Sequence, residues 1–362
     1  MNHPRIDQAT MGGAADLDAL CRALARHAPQ QHRSGDGIDR SVTLLRQADL
    51  LADSGAADPA ATARRLIRIA GANLSVARLY EGHINALRIV EMHGSAAQTA
   101  RVAEIVAKGA FLGVWGADGA EPVRVDGHAL RGAKTFASGL GTVTHAIITI
   151  AGDDAPRIGL IDVRDASRHH PDDWAMRGMR ATRSGGHDFA GIEVDEVDWI
   201  GAPGCYVTEP GFVSGVWRIA ALQLGATFGL LDAARRHLGG LERMGAEAQL
   251  TRLTPPMMRA LAAETFVRRA ACFGESTANT ATPEQGVALS AAARLLTEEI
   301  AQQTIAAVEQ SVGLVHFSQG SETGRMAEDL ATYLRQAARD ALLLRVGRHT
   351  LDTPRPVWEM LP

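Results

Sequence analysis

The chain has 362 residues, of which 46% are hydrophobic and 22% charged, the composition of a globular protein long enough for two or three domains. A formal charge of −4 and a pI near 6.4 give no basic field, which argues against nucleic acid as a partner. No run of eighteen apolar residues occurs, so no membrane span is expected.

Cysteine usage points the same way. Cys21, Cys205 and Cys272 are odd in number and far apart, which fits a reducing compartment and no disulfide framework. No C-x-x-C or H-x-x-x-H spacing suggests a metal. The opening stretch MNHPRIDQATMGGAADLDAL lacks the apolar core of a signal peptide, so a cytoplasmic location is expected.

Residues 1–15 are rich in glycine, alanine and polar side chains and are expected to be disordered. Leu17, Leu20, Cys21 and Leu24 then fall at helical spacing, and helical patterns return in SVTLLRQADLLADSG and from Ala60 to Gly94. These short amphipathic helices make an α-helical first domain over residues 1–109. His83 and Asn85 fall mid-helix and read as solvated or satisfied polar groups.

After Gly109 the period changes. Segments such as FLGVWGADGAEPVRVDGHALRGAK and RIGLIDVRDA alternate β-branched and apolar residues with glycine, aspartate and proline turns, as a sheet or small barrel does. A middle β-domain is expected over 110–200. GADGAE at 116–121 lacks the third glycine of a dinucleotide fingerprint and opens no helix, which argues against a Rossmann domain.

Within this domain the stretch His128–Ile150 puts a lysine, an aromatic residue and a small hydroxyl residue (Lys134, Phe136, Ser138) before Gly139 and Gly141. Two strands meet across this bend. It can be a plain hairpin loop, or a place where glycine lets the backbone approach a planar, polar-edged cofactor beside Phe136 and Ser138. The segment from Trp174 to Val194 repeats the theme of a glycine- and serine-rich bend followed by a strand.

In order and type, these residues resemble the flavin-dependent acyl-CoA dehydrogenases. Gly132, Lys134, Phe136, Ala137, Ser138 and Gly139 match the family's G-x-K-x-[FW]-[IA]-[ST]-[NS]-G, and Trp174, Gly178, Met179, Arg180, Ser184, Gly211 and Phe212 match later motifs in sequence. The resemblance implies an α+β fold of helical domain, middle β-domain and carboxy-terminal four-helix bundle. It also implies FAD, with its ring against Phe136, Ala137 and Ser138 and with Ser184 nearby. The family's T-E-P-x-x-G-S-D loop is replaced by VWGADGAEP, so flavin contacts there would come from Trp115 by stacking or from backbone amides.

From Phe212 the chain reads as helix, with small residues Ala221, Gly225, Ala226 and Gly229 on the first, a second after Pro255 and Pro256, a third from Pro283 to Gly313, and a fourth over RMAEDLATYLRQAARDALLLRVGRH. These form the bundle domain over 201–362. Gln310 and Gly313 resemble a Q-x-x-G-G segment through which one subunit of the family reaches the flavin of its neighbour. A homodimer or homotetramer is therefore expected.

Desaturating an acyl thioester requires a carboxylate to take the α-proton. In the family it lies eight residues past an aspartate matched here by Asp329, a place held by Ala337, or beside an arginine matched by Arg218, where Trp217 stands instead. Both usual bases are missing. Asp340 is a weak replacement whose plain alternative is a solvated charge beside Arg339, and Arg218 reads either as a substrate contact or as an ion-paired arginine. His187 and His316 lie near matched motifs and read as satisfied groups. The expected activity is FAD-dependent oxidation of the CH–CH group of an acyl thioester, such as a CoA thioester, or a related substrate, with an unusual or absent base. Its alternatives are a flavin-dependent monooxygenase on the same scaffold and a silent relative that binds an acyl group or a partner.

Overall fold

The structure, a computed structural model, describes residues 9–35, 38–209, 211–276, 283–354 and 356–360, with side chains from residue 16 to residue 359. Part of the disorder expected over 1–15 lies outside the described residues; the rest is corrected, because α1 (Ala9–Ser34) begins at Ala9. It is followed by α2 (Ile38–Gln47), α3 (Pro59–Ala72), α4 (Leu74–His93) and α5 (Ala96–Ala107).

Local chemistry sets these boundaries. Asp58 caps α3 by accepting from Ala61 N at 2.9 Å, with Pro59 in the first turn, where a missing N–H costs nothing. Asn73 ends α3 and caps α4 by accepting from Val76 N at 3.2 Å. Ser95 and Gln98 form a reciprocal capping box on α5.

Among the described residues nine short strands follow: β1 (Leu112–Trp115), β2 (Arg124–Asp126), β3 (Ala129–Arg131), β4 (Ala133–Ala137), β5 (His145–Ile150), β6 (Arg157–Asp162), β7 (His169–His170), β8 (Gly185–Asp188) and β9 (Trp199–Ile200). One sheet has the order β1-β5-β6-β9, a second β4-β8-β7, and β2 and β3 form a two-stranded ribbon bridged to Ala151 and Glu193. β1 and β5 run parallel, and β5 and β6 antiparallel. Side chains of β5 alternate between two cores, as strand geometry demands: Ile147 packs with Val90 and Val102 of α4 and α5, while Ala146, Ile148 and Ile150 face the main core.

The strands flanking the glycine bend therefore do not form a hairpin. β4 belongs to one sheet and β5 to the other, because the pairing of β4 with β8 slips between Lys134 and Ala137 and Phe136 takes a positive φ of 54°. The chain leaves the sheet at that slip.

The carboxy-terminal half is α6 (Trp217–Gly240), α7 (Glu247–Glu275), α8 (Pro283–Val312), α9 (Glu322–Tyr333) and α10 (Arg339–Leu351). α7 runs through Pro255 and Pro256 instead of starting after them, forgoing backbone hydrogen bonds there while Leu253 and Pro256 are buried. The expected fourth helix is divided: 334–338 forms a turn in which Ala338 has φ 63°. The small-residue face of α6 is used inside the chain. A Cβ on Gly225 would lie 2.2 Å from Ile67 O, so α3 packs at backbone contact. Helices, then a small β region, then helices give the expected α+β fold.

Candidate active site

The bend after β4 combines an exposed aromatic face with a chain of hydroxyls. Phe136 is 52% exposed and meets Trp174 edge-on at 6.0 Å between ring centroids. Ala137 is buried beneath it. Ser138 is half-buried and accepts from Ser184 Oγ at 3.1 Å; Ser184 in turn lies 2.8 Å from Thr182 Oγ1, which donates to Met179 O at 2.7 Å. With Ser184 donating to Ser138, the Ser138 proton is left free for a ligand. Gly139 holds the turn at φ 85°, and a Cβ there would meet Val143 Cγ2 at 2.7 Å.

Beside these groups a recess of about 350 Å³ is lined by Pro171, Asp172, Trp174, Arg180, Arg183 and Ser184, among others. Planar apolar surface, a hydroxyl at its edge and exposed guanidinium groups fit a flavin ring and its phosphate. Trp174, Arg180 and Arg183 were not among the site residues expected from sequence. The tryptophan and Arg180 stood in matched motifs, but nothing in the sequence marked Arg183.

Several motif residues act behind this surface. Trp115 is buried and donates from Nε1 to Ser138 O at 3.0 Å, packing on the His187 ring at 5.4 Å. Lys134 is buried, reaching Asp118 at 2.6 Å and Thr149 Oγ1 at 2.7 Å, so it ties the 116–118 loop to the sheet. Burial depresses its pKa, against the pull of Asp118. His187 is enclosed by Trp115, His169 and Phe189, and burial lowers its pKa to about 4. His83 is also held neutral by burial, with a pKa of about 4; its Nδ1 accepts from Leu112 N and its Nε2 faces Leu51 O, each at 2.9 Å.

Asp329, which sequence placed only as a landmark, accepts from Met179 N at 2.6 Å. It thereby holds the loop that carries Thr182 and Ser184, in which Met179 has φ 57°. Gly178 permits this approach, since a Cβ there would lie 2.1 Å from Glu328 O.

Arg218 is buried and bound to Glu275 Oε1 at 2.7 Å, and the same carboxylate takes Arg88 Nε at 2.8 Å and Trp217 Nε1 at 3.1 Å. Burial alone would raise the Glu275 carboxyl, but Arg218 and Arg88 hold it below its ordinary value. Ala337 is exposed on the turn before α10, and the Asp340 side chain is 95% exposed beside Arg339. Gln310 is exposed on the last turn of α8 and Gly313 follows at φ 74°; neither lines the recess at Trp174. A larger cleft, about 1070 Å³, lies between α1, α3, α6, α7 and α9 and shares no residue with that recess. Among the described residues no His, Cys, Asp and Glu group is arranged to hold a metal, and no helix is long and apolar enough to cross a membrane.

No family model matches the chain. Dibenzothiophene monooxygenase from Rhodococcus erythropolis is 29% identical over 264 residues, which span 62% of this chain and 63% of that protein, less than two thirds of its length. Among solved structures, dibenzothiophene monooxygenase TdsC from Paenibacillus sp. A11-2, in complex with FMN and indole, superposes with a TM-score of 0.82 at 19% identity, covering 95% of this chain and 98% of that one. Methanesulfinate monooxygenase MsuC from Pseudomonas fluorescens gives a TM-score of 0.79 at 17% identity, covering 96% and 99%. The fold is that of the acyl-CoA dehydrogenase-like flavoproteins. The expected desaturation of an acyl thioester is corrected by the same comparison, because the similar proteins are monooxygenases.

Proposed function

We propose that the protein is a flavin-dependent monooxygenase that uses FMN and oxygenates a small ring compound. The observation that carries the reading is the absence of a usable base at the positions where the resembling family keeps one, beside a bend whose aromatic face and hydroxyl suit a flavin ring. Trp217 is buried in the Glu275 network, Ala337 stands on an exposed turn, and Asp340 points to solvent beside Arg339. Without a positioned carboxylate, α-proton removal loses about two to four powers of ten in rate. Transfer of oxygen makes no such demand. Glu81 is a buried carboxylate nearby, but Arg78 occupies it at 2.7 Å.

A bound reduced flavin would supply the electrons that activate dioxygen. The chain's own residues would place it. Phe136 offers the face for the ring, Ser138 a hydroxyl at the ring edge, and Arg180 and Arg183 positive charge for the phosphate. The FMN in the TdsC complex favours FMN over the FAD expected from sequence, and mass spectrometry of the extracted cofactor distinguishes them.

The experiment is to reconstitute the protein with FMN, photoreduce it without oxygen, then admit ¹⁸O₂ with indole or dibenzothiophene. One labelled oxygen atom in a product supports the reading. Rapid anaerobic bleaching of the oxidised flavin by butyryl-, octanoyl- or palmitoyl-CoA refutes it. A colourless protein that takes up no flavin points to a silent relative.

A further inference from the structure

The cleft of about 1070 Å³ between α1, α3, α6, α7 and α9 lies apart from the flavin recess, and nothing in the proposed reaction uses it. Its floor is where α3 and α6 meet with no side chain between them. A Cβ on Gly229 would lie 2.3 Å from Gly71 O and 2.7 Å from Met326 Cε, so a larger residue there would force the helices apart. This backbone contact leaves a trough above the two glycines, lined by Leu17, Phe228 and Met326 as half-buried groups. Leu261 of α7 adds an apolar side chain that is 57% exposed.

The charge on the walls is out of balance. Six arginines line the cleft, Arg22, Arg64, Arg65, Arg68, Arg236 and Arg325, against three carboxylates, Asp232, Glu264 and Glu322. Each of those carboxylates is already paired: Asp232 with Arg235 at 2.6 Å, Glu264 with Arg268 at 2.8 Å and Glu322 with Arg236 at 2.9 Å. Two further arginines reach acids outside the lining, Arg68 to Asp18 and Arg325 to Asp329 at 3.7 Å. Arg65 donates to the Tyr80 hydroxyl at 3.2 Å, a neutral partner. The side chains of Arg22 and Arg64 make no hydrogen bond or ion pair among the described residues. Three guanidinium groups on one cleft are thus left without a carboxylate. They are not scattered: Arg64 stands one turn before Arg68 on α3, and Arg22 one turn after Asp18 on α1, so both lie on the helix faces that the Asp18–Arg68 pair joins.

An apolar trough with unmatched guanidinium groups on its walls suits a molecule with a hydrocarbon body and an anionic head. Burial of the body supplies affinity, and the guanidinium fork orients a carboxylate or phosphate. We infer that this cleft is a second binding site, separate from the flavin recess, for an organic anion with an extended apolar body. The inference does not rest on the monooxygenase reading, because the cleft and the flavin recess share no residue.

Calorimetric titration of the flavin-loaded protein with decanoate, decyl phosphate and 1-decanol, each below its micelle-forming concentration, tests this. At least one of the two anions is expected to bind about tenfold or more tighter than the alcohol, and to weaken as salt is raised. Arg22→Glu combined with Arg64→Glu should weaken that anion about tenfold or more while leaving 1-decanol and flavin content unchanged. Both arginines are exposed, so the fold should tolerate the change. Ala25→Trp, on the exposed side of α1 in the same lining, should weaken anion and alcohol together by filling the trough. If the double variant does not fold, as judged by flavin content, the native protein and Ala25→Trp still decide. Binding of both anions no tighter than that of 1-decanol overturns the inference, as does an anion affinity that survives both the double charge reversal and Ala25→Trp, or one that is gained only by releasing flavin. Absence of binding, together with a light-scattering mass that falls in the double variant, also overturns it, since a second copy of the chain then covers the cleft.

Discussion

Replacing Asp329 by alanine should destabilise the protein by about 2–4 kcal/mol and loosen its grip on flavin together. The carboxylate accepts from Met179 N at 2.6 Å, and Met179 is buried. Leaving that N–H without an acceptor costs about 1–3 kcal/mol. Arg325 also loses a partner, at 3.7 Å. A tight buried pair would cost about 3–5 kcal/mol when broken, but this one is long and Glu322 also acts on Arg325, so about 1 kcal/mol is the fair share. Asp329→Asn keeps an acceptor for Met179 N and gives up only the charge, so it should cost about 1 kcal/mol. Urea unfolding of the three proteins with flavin removed measures the stability difference, and fluorescence titration with FMN measures the affinity. The loop from Met179 to Ser184 carries the hydroxyl chain to Ser138, so affinity should fall in the same order as stability. If Asp329→Ala stays within about 0.5 kcal/mol of the native protein, the range of an ordinary surface change, and binds FMN equally well, the role given to this carboxylate is wrong.

Further expectations concern the bend, the buried histidines and assembly. Ser138→Leu should sharply reduce the flavin retained through purification, and unchanged flavin content would show that the ring lies elsewhere. His83 and His187 have folded pKa values of about 4 because burial disfavours their charged forms, while the unfolded chain protonates them near 6.5. The unfolded state therefore binds more protons below pH 6.5, and stability should fall as pH drops from 6.5 towards 4 by roughly 1.4 kcal/mol per unit for each histidine. Urea midpoints at pH 7 and pH 5 measure this, and His187→Phe should make the slope shallower, as burial of His27, His93, His145 and His316 adds to it in the same direction. Leu343, Leu344, Leu351 and Trp358 are exposed on and after α10, and Leu314 and Phe317 after α8, which supports the homodimer or homotetramer expected from sequence. Light scattering that gives a monomer at micromolar concentration counts against it.

The α+β fold was legible from the sequence because it rests on local periodicity and on motif order. Apolar spacing of 3.6 changes to alternation after Gly109 and back after Phe212, and capping residues such as Asp58 and Ser95 act on their own helix ends. Some local readings failed where tertiary packing overrode them. The prolines at 255 and 256 lie inside α7, and Ala338 turns the chain at a place whose sequence continues a helical pattern. The hairpin around Gly139 failed for a related reason, since which strand pairs with β4 is decided by β8, some fifty residues away in the chain.

The site divides along the same line. Sequence alone singled out Phe136 and Ser138, because glycine, aromatic and hydroxyl residues at fixed spacing imply a bend with a flat face. The resemblance to the acyl-CoA dehydrogenases added Ser184 and put Ala337 and Trp217, neither a carboxylate, at the family's base positions. Only the tertiary structure could place Trp115 and Lys134 beneath the bend, occupy Arg218 with Glu275, and turn Asp329 onto Met179 N. Those assignments depend on partners between 16 and 150 residues apart in the chain, and on whether a charge is enclosed or solvated. The burial of Arg218 is a fact of the same kind. An arginine in a helix reads as a surface group until the packing around it is known.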